Sequence, residues 1–369
     1  MGELAGTLLR RDPAHQALFN ALPRRRSALV DSVRDPSAGH IPGLQEYNGR
    51  QLGFLDLPAG GYTSYQVATS ASSASIEVAL PGRITTKYYD VDFAGGLIAQ
   101  ISVGGKGLLS TGEYLGGEIR ALVSDTWHDN REAECRFFEG EACYILERSA
   151  AIASIPLRER YFFYRNERAI KVELDFEFSG DEVGVFWFDE TKVNVYYPGA
   201  SREIHHDIPF GFVEGREARP LFASNWLACG GLVYVNRGTV KHWVRNGVMA
   251  NILAWGGNIF GNRLHFDFWA SKREFDLRIH QPQSLEYFIV PFEQFDGRKV
   301  VRQVSDLTTP VFVAPGKGSR SVYKSDDKAF AVTSVFRSEG EIRARGYRLP
   351  KGKVSRPGDF HIETRRIGR

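Results

Sequence analysis

The chain has 369 residues, with 47 Lys and Arg against 44 Asp and Glu, a net +3, and is 43% apolar and 25% charged. It is therefore globular rather than disordered, long enough to bury a substantial core without staples, and too evenly charged to announce a nucleic-acid or anionic-membrane binder. A 12% aromatic share, 38 Gly and only 2 Met favour strands and tight turns over helices.

Along the chain, helix is offered only by the first 35 residues, where Pro13, Pro23 and Pro36 interrupt it. Arg10, Arg11 and Asp12 stand where a signal peptide needs its apolar stretch. No run approaches the ~18 apolar residues of a membrane span. The expectation is a soluble, cytoplasmic protein with no membrane partner. Turn signals then recur, among them Asn48-Gly49, Gly95-Gly96, Gly116-Gly117, Asn246-Gly247 and Asp296-Gly297. Short β-branched and aromatic runs separate them, the rhythm of a sandwich or barrel. Thr69 to Ser75 is small and polar, as a linker is. Gly104-Gly105-Lys106-Gly107 has no helix after it and reads as a hairpin turn. Cys135 and Cys143 flank Glu139-Gly140-Glu141, where a hairpin would turn. A disulfide between them is left open, with free thiols, including Cys229, the favoured reading.

From Ala169 to Phe178 the pattern alternates cleanly. Ile170, Val172, Leu174, Phe176 and Phe178 face a core, while Lys171, Glu173, Asp175 and Glu177 face water. Val183 to Phe188 reads as a central strand, and Trp187, Trp243, Trp255 and Trp269 as core. Leu264, Phe266 and Phe268 and then Phe275, Leu277 and Ile279 predict a hairpin. Its favoured register sets Asp267 opposite Arg278 and His265 opposite His280, because the alternative opposes Asp267 to Asp276. Thr308 to Ser321, with Pro310, Pro315, Gly316 and Gly318, is a second seam. The chain divides into a leading segment of short strands (1–70), a large β domain (71–300) and C-terminal strands (301–369).

No phosphate-binding loop, Gly-x-Gly-x-x-Gly, Gly-x-Ser-x-Gly, His-Glu-x-x-His or Cys-x-x-Cys occurs. Nucleotide-dependent chemistry and a resident cofactor or metal are not expected.

Five segments, in order, carry a family likeness. They are Leu18 to Asp31, Leu57-Pro58-Ala59-Gly60-Gly61-Tyr62, and Tyr88 to Phe93 followed by Gly95-Gly96-Leu97-Ile98. Then come Asp207-Ile208-Pro209-Phe210-Gly211, and Asn225-Trp226 with Gly231 to Gly238. Together they resemble the C-terminal β region of glycoside hydrolase family 38, the α-mannosidases. The resemblance implies an all-β fold: a large antiparallel β-supersandwich of galactose mutarotase type, with smaller β-sandwich pieces at its ends. The family's catalytic α/β domain, with its zinc and aspartate nucleophile, precedes this region, and no stretch before Leu18 matches it. No catalytic residue is carried over, and hydrolysis by this chain alone is not expected.

Two polar clusters are candidate sugar contacts. Asp125, Trp127, His128 and Asp129 set an aromatic face beside carboxylates, which suits the C–H face and hydroxyls of a pyranose. The bland alternative is a loop with one anchoring Trp. His205, His206 and Asp207 supply hydrogen-bond partners or ligands, against the simpler reading of a turn end. Asp125 with Asp129 or Asp207 is weighed as a glycosidase pair, which needs a separation of ~5–9.5 Å. Arg24-Arg25-Arg26 and Arg365-Arg366 read as solvated charge runs, with no nucleic-acid partner.

Three functions compete. The first is a carbohydrate-associated module, non-catalytic or acting with a separate catalytic chain. The second is a free-standing aldose mutarotase-like enzyme, and the third an assembly protein with no ligand. Homo-oligomer formation is left open.

Overall fold

A computed structural model describes residues 9–10, 12, 14–33, 39–68, 74–123, 126–182, 193–209, 211–254, 278–321, 327, 330–338, 341–348 and 362–368. Among them the architecture is almost wholly antiparallel β. Its centre is a ten-stranded sheet. From edge to edge it runs Gly211–Gly215, Ile204–Ile208, Trp226–Cys229, Leu232–Asn236, Gln283–Pro291, Ile170–Phe176, Ile155–Tyr164, Cys143–Ile152, Ala133–Glu139 and Ile76–Val78. A six-stranded sheet packs on one face, in the order Thr126–Asp129, Glu118–Val123, Val193–Pro198, Val248–Ala254, Lys241–Arg245 and Ala218–Phe222. The main core lies between them and includes Ile119, Ala121, Leu146, Tyr161, Val172, Leu174, Val195 and Tyr287.

The turns behave as their residues require. At Asn48-Gly49 and Asn246-Gly247 both residues take positive φ, 47° and 72°, then 51° and 79°. These are the backbone angles of a two-residue hairpin connection, which Asn and Gly tolerate. Gly104-Gly105 does the same between Leu97–Val103 and Lys106–Gly107, as expected of a hairpin turn. The hairpin at Glu139-Gly140-Glu141 forms too, but Cys135 lies opposite Arg148, not Cys143. Cys135 packs toward the main core and Cys143 on the other side of the sheet. All three cysteines are free.

The second face of the ten-stranded sheet is also covered, and here the structure corrects the sequence reading. Ile170, Val172, Leu174 and Phe176 are buried as expected, but Lys171 and Glu173 are buried as well. The three-stranded sheet of Arg26–Val33, Arg50–Leu57 and Gln45–Tyr47 lies over them. Arg50 bridges Asp31 and Glu173, and Lys171 contacts Asp31, Glu173 (2.8 Å) and Glu286 (3.1 Å). Arg160 adds bonds to Glu173 at 2.9 Å and Asp175 at 2.6 Å. The predicted wet face is an ion-pair layer between two sheets. Burial opposes ionisation of Glu173, yet its bonds to Arg50 and Lys171 win and hold its carboxyl down to about 2.

The first 35 residues, where helix was offered, contain the strands His15–Asn20 and Arg26–Val33. The one helix among the described residues is Gly297–Thr308. Asp296 caps it, accepting from the backbone N–H of Arg298 (3.1 Å) and Lys299 (3.2 Å). Val300, Val304 and Leu307 join a second core with Phe162, Phe288 and Val290. A Cβ on Gly297 would lie 2.2 Å from the Phe212 ring, so only glycine allows this approach.

Arg24-Arg25-Arg26 is not a solvated run either; only Arg25 is exposed. Arg26 is buried and donates to the carbonyls of Asp306 (2.8 Å), Thr309 (2.8 Å) and Pro310 (3.3 Å) at the helix end. Arg24 pairs with Asp306 at 2.7 Å and donates to the Arg302 carbonyl. Cations satisfy the orphan carbonyls and oppose the dipole there. Burial pulls the Arg26 guanidinium down to about 10.

The leading strands and the segment that follows the helix meet in a four-stranded sheet, ordered Phe312–Pro315, His15–Asn20, Gly61–Gln66 and Ser319–Ser321. A small core of Leu18, Val30, Ile41 and Leu57 joins the leading strands. Segments divided in sequence at 70 and 300 are thus joined in space. Phe330–Ser338, Glu341–Arg348 and Ile362–Gly368 form a separate three-stranded sheet. The expected strand at 183–188, the hairpin up to 277, and Trp187, Trp255 and Trp269 lie outside the described residues. Of the hairpin, Arg278–Ile279 is described, and it pairs with Asp181–Glu182.

Inside the main sandwich, His242 is fully buried against Asn236 and Asn251, and burial holds its imidazole down at about 3. It is neutral when folded and takes up a proton when unfolded below its ordinary value near 6.5. Stability from this group is full above pH ~6.5 and is lost as pH falls toward ~3. Urea unfolding across that window should therefore show a shallower loss of stability for His242→Gln than for the parent. Equal slopes would show that the imidazole is not linked to folding.

Candidate functional site

The strand Thr126–Asp129 forms one edge of the six-stranded sheet, pairing Leu122 with Trp127 and Arg120 with Asp129. Ile119, Ala121 and Val123 enter the core. Strand alternation therefore turns Arg120, Trp127 and Asp129 outward together. Trp127 is 49% exposed. Asp129 accepts from the backbone N–H of Arg131 at 3.1 Å, starting the turn that follows. His128 is half-buried, opposite Ala121. Asp125 lies outside the described residues.

This edge is anchored from beneath. Asn130 is fully buried, accepts from the Ile119 N–H at 2.8 Å and donates to Glu159 at 2.9 Å. Glu159 is paired with Arg148 at 2.6 Å, both side chains being fully buried, and accepts from the Tyr161 hydroxyl at 2.8 Å. Arg148 also donates to the Asn130 carbonyl at 2.6 Å. Burial raises the Glu159 carboxyl, against the pull of Arg148 and its other donors. An exposed tryptophan thus stands on a strand locked to the interior.

Beside it the outer face carries groups that the sequence reading did not assemble. Arg120 bonds Glu118 and Glu113, each at 2.7 Å, and Arg131 reaches Glu118 at 3.0 Å. The Arg120 guanidinium lies 4.3 Å from the Tyr114 ring centre. Tyr114 stacks on Tyr196 at 4.3 Å and 11°, and Tyr196 meets Trp243 edge-on at 5.7 Å. Trp243, expected in the core, is half-buried in this outer row. Burial raises both tyrosine hydroxyls, that of Tyr196 to about 12, so they stay neutral donors. Burial would lower Arg120, but its bonds to Glu118 and Glu113 hold it above its usual value.

Arg120, Arg131, Glu113, Leu97 and Leu115 wall a cleft of about 590 Å³. Two guanidinium groups face two carboxylates, so the site is charge-balanced. It can offer stacking surface and directed hydrogen bonds to a neutral polyol. No group of three His, Cys, Asp or Glu able to hold a metal occurs among the described residues.

The second cluster is built into the fold. His205 is buried and stacks on Phe295 at 3.8 Å. Asp207 is buried and accepts from the N–H of Asn225 (2.8 Å), the Asn225 side chain (2.7 Å) and the N–H of Trp226 (3.0 Å). Burial raises its carboxyl despite these donors. His206 is half-buried. These residues hold the start of the strand Trp226–Cys229.

The clusters are not brought together. Thr126–Asp129 touches the strand Cys143–Ile152, six strand positions from Ile204–Ile208 in the ten-stranded sheet. That is roughly 29 Å along the sheet at ordinary strand spacing. The glycosidase pairs weighed from the sequence, Asp125 with Asp129 and Asp125 with Asp207, both include a residue outside the described residues.

No family model and no curated protein matches this sequence. Its fold does match solved structures. An α-mannosidase from Enterococcus faecalis aligns with TM-score 0.59 at 12% identity, covering 94% of this chain and 46% of that one. A protein of glycosyl hydrolase family 38 from the same organism aligns with TM-score 0.60 at 12% identity, covering 100% and 50%. The chain spans about half the length of these proteins, and the likeness is one of fold. The family resemblance read from the sequence motifs is met in the three-dimensional architecture.

Because Asp207 ties three N–H donors, Asp207→Ala should destabilise the protein by roughly 2–4 kcal/mol, the cost of stranding buried donors. Denaturant midpoints of the parent and the variant check this.

Proposed function

We propose that this chain is a carbohydrate-binding β-sandwich, non-catalytic by itself, that works beside a separate catalytic chain. The observation that carries this reading is the half-exposed Trp127 beside Asp129, on an edge strand anchored by Asn130. A rigid aromatic face next to a carboxylate recognises a pyranose with little ordering cost. The fold shared with two proteins, one described as an α-mannosidase and the other as a member of glycosyl hydrolase family 38, supports a sugar as the ligand. The charge balance of the adjoining cleft favours a neutral sugar. Three free thiols fit a reducing, cytoplasmic setting.

A free-standing mutarotase needs an acid and a base facing one sugar ring. His205 and His242 are sealed in the interior and do not supply that pair.

Titration calorimetry against a panel of mannose- and galactose-type ligands tests the reading. Trp127→Ala should weaken binding by about 1–3 kcal/mol, the scale of one large side chain. No binding by the parent across the panel would remove the sugar-binding reading. In parallel, the purified chain should release no nitrophenol from aryl α-mannosides, with or without added zinc. Turnover that survives rigorous purification would overturn the non-catalytic assignment.

A further inference from the structure

Cys135 and Arg148 stand directly opposite in the ladder between Ala133–Glu139 and Cys143–Ile152. Opposed residues project to the same side of a sheet, and here that side is the main core, against which Cys135 packs. The other two thiols are sealed, Cys143 at 0% and Cys229 at 1% exposure. Cys135 is only half-buried, its thiol directed at the Ala133 carbonyl at 3.8 Å.

The Arg148 side chain is fully buried, and two of its nitrogens are committed. Nη1 donates to Glu159 and Nη2 to the Asn130 carbonyl, each at 2.6 Å. Its Nε–H is buried as well and has no hydrogen-bond partner among the described residues. A buried donor without an acceptor costs free energy, the more so on a charged group.

Gly96 shows what separates the sulfur from this donor. It takes φ 79° in the Gly95-Gly96 turn, and a Cβ there would stand 2.5 Å from Cys135 Sγ and 3.2 Å from Arg148 Nε. Glycine leaves that space open, so the two atoms flank a gap of about one atom. Gly95 and Leu97, on either side of Gly96, belong to the wall of the 590 Å³ cleft. The gap therefore lies next to an opening to the surface.

We propose that Cys135 is a site of oxidation by hydrogen peroxide, and that Arg148 Nε–H holds the sulfenic acid formed there. A sulfur electron pair attacks one peroxide oxygen, an S–O bond forms as the O–O bond breaks, and the thiol proton leaves with the departing oxygen as water. Sulfur loses two electrons and the peroxide gains them. The new oxygen gives the Nε–H the acceptor it lacks, through a charge-assisted bond. Condensation with a second thiol of the same chain is blocked by the fold. Cys143 packs on the other side of the sheet, and Cys229 lies in a strand six positions away. Six positions are roughly 29 Å, against ~6 Å between the Cα atoms of bonded cysteines.

The test treats the reduced full chain with hydrogen peroxide, removes the excess with catalase, and then adds dimedone, which labels sulfenic acids. Peptide mass spectrometry should find the adduct on Cys135 and not on Cys143 or Cys229, and Cys135→Ser should take up no label. Arg148→Lys keeps a positive charge without the Nε–H, and its sulfenic acid should be lost about ten-fold faster, the scale of one hydrogen bond to a charged group. A second measurement needs no variant at Arg148. The oxidised parent should melt at or above the temperature of the reduced protein, because the added oxygen meets a waiting donor. No label on Cys135, equal labelling of the sealed thiols, or direct passage to sulfinic acid would overturn the proposal. So would a lower melting temperature on oxidation, or a folded Arg148→Lys variant that holds its sulfenic acid as long as the parent.

Discussion

A ten-stranded sheet exposes two faces, and this protein seals both. One face is closed by hydrocarbon against a second sheet, the ordinary solution for a sandwich. The other is closed in part by charge. Lys171, Arg50 and Arg160 interleave with Asp31, Glu173 and Asp175 beneath the three-stranded sheet, and apolar packing under the helix completes the cover. A buried ion pair is a poor source of net stability, because desolvation offsets attraction. Its geometry is demanding, however. The observed placement of the leading strands pairs Asp31 and Arg50 with Lys171 and Glu173 across the two sheets, so the ion-pair layer favours this docking of the smaller sheet.

The same principle recurs at the edge strand bearing Trp127. Arg148 and Glu159 are buried together, and Asn130 links them to the backbone of Glu118–Val123. A buried polar network that is mostly satisfied is rigid, and its rigidity passes to what stands on it. Edge strands are usually mobile or blunted. This one is held in place by the buried network next to it. Around it, Arg120 joins the cleft to the aromatic row through one planar guanidinium.

Local pattern was enough to read the β class, the hairpins at Gly104-Gly105 and Glu139-Gly140-Glu141, and the buried stripe from Ile170 to Phe176. Side-chain alternation and turn chemistry depend on neighbours a few residues away, and such signals survive in a linear string. The five ordered motifs carried the family resemblance for the same reason. Trp127 and Asp129 were legible as a polar, aromatic cluster. What covers a face is not a local property. Lys171 and Glu173 read as solvated because their partners Asp31 and Arg50 lie more than 120 residues earlier. Arg26 read as surface because the helix end it caps begins some 280 residues later. Asp207 was left between a ligand and a turn end because the N–H groups it holds, those of Asn225 and Trp226, are 18 and 19 residues further on. Tyr114, Arg120, Tyr196 and Trp243 converge only through strand order and register, which long-range pairing decides and composition does not record.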